Sequence, residues 1–290
     1  MEWEIRDTYP IIINSMTSVI LLTGATGFVG RQVLRALHPA DVSLRLVVRE
    51  GTKIPEEFDA DIEDLIFTPD LFMESVSWWE KACEGVDIII HLAWYTEPGI
   101  YQESPRNIDC QYGTMNLANG CIRAGIRRFV GIGTCFEYDL SSEVISNQTP
   151  LNPLTPYAVA KVTVYKNLLR CLPEEHIEFV WCRLFYLYGE GEDERRLAPY
   201  IRSRLSAGQT ANLTEGSQVR DYLDVREAGK MVVEVALGNI RGPVNICSGI
   251  AVSVREFAES IADEYGRRDL LRFGVRTSDS FDPPRIVGVK

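Results

Sequence analysis

A tyrosine and a lysine four positions apart, Tyr157 and Lys161, have the types and spacing of an acid–base pair. Of the twelve tyrosines in the chain, only Tyr157 is followed by a lysine at this distance. Residues i and i+4 of a helix lie on one face, so the phenol and the ammonium can approach each other. A close positive charge favours the phenolate, and Lys161 should therefore lower the pKa of Tyr157 from its usual value of ~10. The same spacing also arises by chance on solvated helices, so the surrounding sequence has to decide.

Three glycines near the start of the chain have the spacing of a phosphate-binding loop. Gly24, Gly27 and Gly30 in "TGATGFVG" follow the apolar run "SVILLTG" and open the helical pattern "FVGRQVLRALH". A turn without Cβ atoms lets the backbone approach a pyrophosphate, which then rests on the free N–H groups of the helix N-terminus. This strand–loop–helix context predicts dinucleotide binding. The loop residues predicted to contact the cofactor are Gly24, Thr26, Gly27, Phe28 and Val29.

The end of the second strand, "SLRLVVRE", bears on the choice between the two nicotinamide cofactors. Arg49 stands where the adenosine ribose is expected, and an arginine there can pair with the 2′-phosphate of NADP. An acid at this place would instead bind the 2′-hydroxyl of NAD, and Glu50 is adjacent. Arg49 is the closer of the two to the strand end, which favours NADP(H) and leaves NAD(H) as the alternative.

Short apolar runs alternate with helical patterns through the first 185 residues. This alternation is typical of βαβ units and predicts an α/β fold, a Rossmann-like doubly wound parallel sheet. We expect an N-terminal extension at 1–17, the dinucleotide-binding domain at 18–185 and mainly a small substrate-binding cap at 186–290. The strands are expected at 18–24, 43–48, 64–67, 86–93, 127–133 and 177–185, with helices near 75–84, 104–124 and 156–171.

Composition excludes several classes of function. The net charge of −11 disfavours a nucleic-acid binder, because such affinity depends on Lys and Arg. The seven cysteines are scattered and the histidines number three, so neither a disulfide framework nor a metal site is expected. No apolar run reaches membrane-spanning length, and the acidic start "MEWEIRD" is unlike a signal peptide. These features predict a cytoplasmic enzyme or binding protein.

With the glycine loop upstream, the Tyr157-x-x-x-Lys161 pattern resembles the extended short-chain dehydrogenase/reductases, the epimerase/dehydratase family. The resemblance covers roughly residues 18–288. Further segments fit it in the family's order, namely "TPDLF", "HLAW", "GIGTCFEYD", "RLFYLYGEG" and "RDYLDV".

The resemblance implies roles for residues on the cofactor side. Asp70 is expected to meet the adenine and Leu71 to pack on it. Leu92 and Ala93 are expected to line the cofactor, and Lys161 to hydrogen-bond the nicotinamide ribose. The family also pairs the helices at 104–124 and 156–171 across a four-helix interface, so a homodimer is expected.

The resemblance also implies a catalytic triad. Thr134 would hold the substrate oxygen while Tyr157 exchanges a proton with it and Lys161 assists. The nicotinamide exchanges a hydride at the same carbon. Arg220 would contact the diphosphate of a nucleotide-sugar. The residues expected at the substrate are Thr134, Cys135, Phe136, Tyr186 and Arg220.

Departures from the family pattern narrow the expected reaction. Cys135 and Phe136 stand where the sugar 4,6-dehydratases have an Asp–Glu pair, and Glu137 lies one position too far to replace it without a bulge. Dehydration is therefore not expected. Gly133 stands where relatives often have a second serine. Tyr186 stands where many relatives have an asparagine near the sugar phosphate.

The pattern that remains is most similar to nucleotide-sugar C4-ketoreductases. We therefore expect NADPH-dependent reduction of a 4-keto-6-deoxy nucleotide-sugar. The alternatives are a C4-epimerase with tightly bound NAD, a reductase of a small lipophilic ketone, and a cofactor-binding regulator without turnover. His91, Trp78 and Trp79 are expected to have structural roles only.

Overall fold

The computed structural model describes residues 17–54, 58, 62–277 and 283–290, and every element named below lies within them. The strands are β1 (Ser18–Thr23), β2 (Val42–Arg49), β3 (Ile62–Thr68), β4 (Ile88–His91), β5 (Arg128–Thr134), β6 (Glu178–Leu184), β7 (Tyr186–Tyr188), β8 (Ala211–Asn212), β9 (Val219–Asp224), β10 (Gly242–Ile246), β11 (Ala251–Ser253), β12 (Leu271–Arg272) and β13 (Arg285–Ile286). The helices are α1 (Phe28–Leu37), α2 (Val76–Ala82), α3 (Arg106–Ala124), α4 (Pro156–Glu174), α5 (Leu197–Ser206), α6 (Val225–Leu237) and α7 (Val254–Tyr265).

A seven-stranded sheet forms the centre of the molecule, in the order β3-β2-β1-β4-β5-β6-β10. Every neighbouring pair in this sheet is parallel. The strand order reverses between β1 and β4, which lie side by side although β2 and β3 separate them in the chain. At such a reversal the carboxyl ends of the strands border a crevice in which ligands bind. The predicted Rossmann-like doubly wound parallel sheet is confirmed.

Helices cover both faces of the sheet, which explains why its strands are continuously apolar. Successive side chains of a strand point to opposite faces. In β1, Ile20 and Leu22 join the core beneath α1 and α6, whereas Leu21 joins the core beneath α2, α3 and α4. The predicted apolar stripe of α1 is buried at Val33, Leu34 and Leu37.

The chain after residue 186 contributes both to the layers of the central sheet and to the cap. Strand β10 pairs with β6 and α6 packs on α1, so this segment completes the central sheet and one of its helical layers. The two helices cross closely at Gly229, where a Cβ would lie 2.7 Å from the Gln32 carbonyl carbon. The other elements form the cap, in which α5 and α7 share a small core that includes Ile201 and Ile261.

Two further expectations concern the N-terminal extension and membrane-spanning helices. Residues 1–16 of the expected N-terminal extension lie outside the described residues. Among the helices of the described part, none combines the length and apolarity needed to cross a bilayer.

Candidate active site

A cleft of about 1190 Å³ lies where the carboxyl ends of β1, β2, β4 and β5 face the cap. Every residue that the sequence analysis placed at the cofactor, the reacting centre or the substrate lines this one cleft. They are Gly24, Thr26, Gly27, Phe28, Val29, Arg49, Asp70, Leu71, Leu92, Ala93, Thr134, Cys135, Phe136, Tyr157, Lys161, Tyr186 and Arg220.

The glycine loop is shaped by two close backbone contacts. Gly24 has a φ of +74°, and a Cβ on it would lie 2.7 Å from the Ala93 nitrogen. A Cβ on Gly30 would lie 2.0 Å from the Gly24 carbonyl oxygen, so α1 can start this close to β1 only with glycine. Gly27 precedes α1 and offers no side chain to cap it. The first N–H groups of α1 therefore face the cleft as a cradle that fits a pyrophosphate.

The far end of the cleft, at β2 and β3, contains the residues expected at the adenosine. Arg49 and Thr52 line the cleft there, whereas Glu50 does not and donates its backbone N–H to the Thr68 carbonyl (3.1 Å). The structure therefore distinguishes Arg49, which lies in the cleft at the expected adenosine site, from Glu50, which does not.

Asp70 is held by two contacts at the same end of the cleft. One carboxylate oxygen accepts from the Phe72 N–H (3.1 Å), and the other pairs with Arg106 (2.6 Å). Arg106 also lines the cleft. Sequence reasoning missed it because it begins α3, far from the motif that contains Asp70.

The first turn of α4 positions the tyrosine and the lysine. The Thr155 side chain caps the helix by accepting from the Ala158 N–H (3.2 Å). Tyr157 and Lys161 then fall one turn apart on the buried face, only 7% and 3% exposed. Thr134, at the end of β5, lines the same cleft, and its hydroxyl accepts from the Phe136 N–H (3.3 Å). The structure therefore brings the three expected catalytic residues together.

The electrostatic relation within this pair differs from the expectation. Burial raises the pKa of Tyr157 well above its usual value, and Tyr101 and Glu137 raise it further, while the hydrogen bond from Thr134 acts against them. The predicted lowering by Lys161 was wrong. The Lys161 ammonium instead donates to the Ile132 carbonyl oxygen (2.6 Å) and lies 3.7 Å from the centre of the Trp94 ring.

Burial also controls the lysine. It lowers the pKa of Lys161 to about 7, against the opposing effect of Glu137 and Cys110. An ammonium in an interior of low dielectric is disfavoured unless nearby groups stabilise it. Lys161 therefore titrates near neutral pH.

The substrate half of the cleft combines a buried cation with apolar walls. Arg220, on β9, is 2% exposed, and its guanidinium lies 5.3 Å from the centre of the Tyr186 ring. Phe136 packs edge-to-face on Tyr186. Cys135 is also buried, which raises the pKa of its thiol to about 12. The thiol therefore stays protonated at neutral pH.

The structure gives a physical reason for two departures from the family pattern. A Cβ on Gly133 would lie 2.2 Å from the Trp181 indole nitrogen, so no serine fits there. Glu137 does not line the cleft; its carboxylate pairs with Arg183 (2.6 Å) and accepts from the Trp181 indole (3.0 Å). Glu137 is thus a buried structural acid and does not replace the acid pair of the dehydratases.

His91 is buried between two hydroxyl groups. Its Nδ1 lies 2.8 Å from the Thr23 hydroxyl and its Nε2 3.0 Å from the Thr114 hydroxyl. Burial, followed by the charge of Lys161, lowers the pKa of His91 to about 3, so the ring is neutral. The predicted structural role of His91 is confirmed.

Several residues of the cleft were not found from the sequence. The segment between β4 and α3 covers Tyr157, whose backbone N–H donates to the Gln102 carbonyl (3.0 Å). The cap closes the opposite side. In the sequence, the only sign of these additional cleft residues was that aromatic residues flank the motifs already identified. The added lining residues include Trp94, Tyr95, Tyr101, Gln102, Tyr188, Glu192, Arg196, Tyr222 and Phe257.

Comparisons with known proteins agree with this fold. A dTDP-6-deoxy-L-talose 4-dehydrogenase (NAD(+)) from Aggregatibacter actinomycetemcomitans is 23% identical over 280 residues, 93% of this chain and 99% of that protein. A Bacillus subtilis (strain 168) protein described as an uncharacterized UDP-glucose epimerase is 28% identical, over 88% of this chain and 84% of its own length. Among solved structures, the UDP-N-acetylglucosamine 4-epimerase from Methanobrevibacter ruminantium M1 superposes with a TM-score of 0.81 at 20% identity, covering 94% of this chain and 89% of that one.

The sequence itself matches a known family over residues 20–247, from β1 to the end of β10. The matched range contains the glycine loop, Thr134, Tyr157, Lys161 and Arg220. The chain belongs to the NAD-dependent epimerase/dehydratase family.

Proposed function

We propose that the protein is an NADPH-dependent reductase that converts a 4-keto-6-deoxy nucleotide-sugar to the corresponding 4-hydroxy sugar. One observation carries the proposal. The Tyr157 phenol lies with Thr134 and Lys161 in a single cleft, between a glycine loop fit for a dinucleotide and the buried Arg220.

The protonation state of Tyr157 supports the reducing direction. Reduction of a ketone needs a group that gives a proton to the oxygen, and a phenol with a raised pKa is fully protonated at neutral pH. Thr134 holds the oxygen beside the phenol, and bound NADPH supplies the hydride. The proton donated by Tyr157 completes the new hydroxyl, and the phenol regains a proton from solvent before the next turnover.

The walls next to Thr134 support a 6-deoxy sugar. Cys135 and Phe136 present a protonated thiol and an aromatic ring, which suit a methyl group at C6 better than a hydroxymethyl. Glu137 is engaged by Arg183 and does not line the cleft, so its carboxylate is not placed to remove a proton from C5. Both features disfavour dehydration.

We assign the binding sites of the substrate diphosphate and of the cofactor's adenosine end from charged residues. A buried guanidinium in a cleft can bind a diphosphate through charge-assisted hydrogen bonds, and we assign this role to Arg220. The relative from Aggregatibacter is named for chemistry at C4 of a dTDP-6-deoxy sugar, and its name specifies NAD(+). Our assignment of NADPH rests on Arg49, which lines the adenosine end of the cleft while Glu50 does not.

A second candidate is a nucleotide-sugar C4-epimerase, because similar solved structures include three UDP-sugar 4-epimerases. An epimerase regenerates its cofactor in each cycle, whereas a reductase consumes it. The distinguishing experiment incubates the protein with NADPH and a panel of 4-keto-6-deoxy nucleotide-sugars. We expect one NADPH oxidised for each sugar reduced. Interconversion of C4 epimers of a 4-hydroxy nucleotide-sugar without NADPH consumption would overturn the proposal.

We also propose that the protein is a homodimer formed through α3 and α4. These helices pack side by side, and each exposes large apolar side chains to solvent. Ile108 and Tyr112 on α3 are 56% and 66% exposed, and Val159 on α4 is 48% exposed. Large apolar side chains exposed on two neighbouring helices favour an interface between protein chains at this face.

A further inference from the structure

Trp94 contacts both members of the catalytic pair. It lies three residues after the end of β4 and lines the cleft. The Lys161 ammonium lies 3.7 Å from the centre of its ring, and the Tyr157 ring packs on it edge-to-face with 6.3 Å between centroids. At 3.7 Å the ammonium is well within the ~6 Å at which a cation is attracted to an aromatic face.

The indole is itself fixed in this orientation. Its N–H donates to the Asn107 side-chain oxygen (2.9 Å). Asn107 is 1% exposed, and its amide nitrogen donates to the carbonyl oxygens of Tyr101 (2.6 Å) and Ser104 (2.9 Å). One buried side chain thus ties both ends of the segment between β4 and α3 and holds the tryptophan ring against Lys161.

We propose that Trp94 is the positioning residue for Lys161, holding its charged ammonium on the indole face so that it can hydrogen-bond the cofactor ribose. This inference rests on the proposed function above. An ammonium has three N–H donors and no acceptor. One of them is used by the Ile132 carbonyl, and the indole face stabilises the charge without an oxygen atom competing for the others. The remaining donors are then available to ribose hydroxyls.

The charged state of Lys161 depends on its neighbours from four elements. The titratable groups around it are His91 on β4, Cys110 on α3, Glu137 after β5 and Tyr157 on α4. Burial lowers the pKa of Lys161 to about 7, while the indole face favours the ammonium. Removing that face should lower this pKa further, so the ammonium would be lost at a lower pH than in the wild-type protein.

The test measures NADP⁺ binding by calorimetry between about pH 5.5 and 9, a range that spans the titration of Lys161. The protein variants are Trp94→Leu, Trp94→Phe and Lys161→Met. The matched control is Trp78→Leu, because Trp78 packs on Trp79 and does not line the cleft. Calorimetry needs no sugar substrate and no tryptophan signal, so a failure of the proposed reaction and a failure of this inference are distinguishable.

We expect the wild-type affinity to decline as the pH rises through the pKa of Lys161, and Lys161→Met to lack this step. In Trp94→Leu the midpoint should lie about one pH unit lower, as expected for loss of a desolvated cation–π contact. In Trp94→Phe it should lie between those of the leucine variant and the wild type, and in Trp78→Leu it should be unchanged. A purely structural role for Trp94 would reduce thermal stability and leave the midpoint in place. Equal midpoints in wild type and Trp94→Phe or Trp94→Leu would overturn the inference.

Discussion

Lys161 brings its ammonium into the interior of the molecule, and this burial opposes folding. The folded-state pKa of about 7 lies below the ordinary value of 10.5 because burial disfavours the charge. The folded state therefore binds its proton less tightly than the unfolded chain does. The cost is greatest below pH 7 and declines as the pH rises from about 7 towards 10.5. A residue with a proposed role in cofactor binding thus reduces stability at neutral pH.

Lys161→Met should make the protein more stable while impairing cofactor binding. Methionine fills a similar volume without a charge to desolvate, so the melting temperature of the cofactor-free protein should rise. The gain should be largest below pH 7 and should shrink above it. Thermal scans from acidic to alkaline pH test this, alongside NADPH titration. A melting temperature below that of wild type throughout the range would contradict the account.

Arg49 is the residue on which the choice of cofactor rests. Arg49→Ala should weaken NADPH binding by about 10–100-fold, the loss expected for a charged hydrogen bond, and leave NADH binding nearly unchanged. Glu50→Ala is the matched control, because Glu50 lies outside the cleft and should not affect the preference. Fluorescence titration with both cofactors measures this. Equal affinities of the wild-type protein for NADPH and NADH would refute the assignment.

At the scale of single residues, the sequence predicted which side chains lie together but not how they change one another's pKa. The i to i+4 spacing placed Tyr157 and Lys161 on one face, and the resemblance to the family placed Thr134 beside them. The sign of the Tyr157 pKa shift could not be read from spacing. It depends on the depth of burial and on the direction of the Lys161 ammonium, which the Ile132 carbonyl and Trp94 determine.

At the scale of elements, the junction after β5 explains how Thr134 is presented. The Thr134 N–H donates to Glu137 (2.9 Å), whose carboxylate also holds Trp181 and Arg183. The Glu137 carboxylate therefore fixes the short 3₁₀ turn Cys135–Glu137 to β5 and β6. The other two residues of the turn, Cys135 and Phe136, line the cleft. The sequence indicated that Gly133 departs from the family pattern and that Glu137 lies one position too far to replace the acid pair. Both residues meet the Trp181 indole, a contact that required the structure because Trp181 lies on another strand.

Gly133→Ala should destabilise the protein by about 1–3 kcal/mol, the usual cost of overpacking a core. The added methyl would lie 2.2 Å from the Trp181 indole nitrogen. The cost should be smaller in a Trp181→Leu background, where the indole is absent, so the two substitutions should not be additive. Denaturant unfolding of the four proteins in this cycle measures the coupling. Strict additivity would mean that the indole does not determine the residue at 133.

At the scale of the whole molecule, the division of the chain is less simple than its linear order. The change in sequence texture near residue 186 indicated where the cap begins. It could not indicate that α6 and β10 belong to the central sheet and its helical layer. An apolar helix and a short strand have the same local sequence pattern whether they lie there or in the cap. The pairing of β10 with β6 and the packing of Gly229 on α1 are long-range contacts.

The proposed dimer predicts a specific response to surface charge. Tyr112→Glu on α3 should convert the protein to a monomer at micromolar concentration, because it places a carboxylate in an apolar interface. Leu237→Glu, at the end of α6 on the opposite side of the sheet, is the control and should remain dimeric. Light scattering after size-exclusion chromatography reports the mass. A monomeric wild-type protein would rule out the proposal.

The central claim is that Tyr157 is the proton donor in a reduction, and Tyr157→Phe tests it most directly. Phenylalanine keeps the ring contacts with Trp94 and Tyr101 while removing the hydroxyl that would donate the proton. With NADPH and a 4-keto-6-deoxy nucleotide-sugar, kcat should fall by ~10²–10⁴-fold, the usual contribution of general acid catalysis. NADPH affinity should stay within a few-fold of wild type. Turnover within a few-fold of wild type would contradict the account.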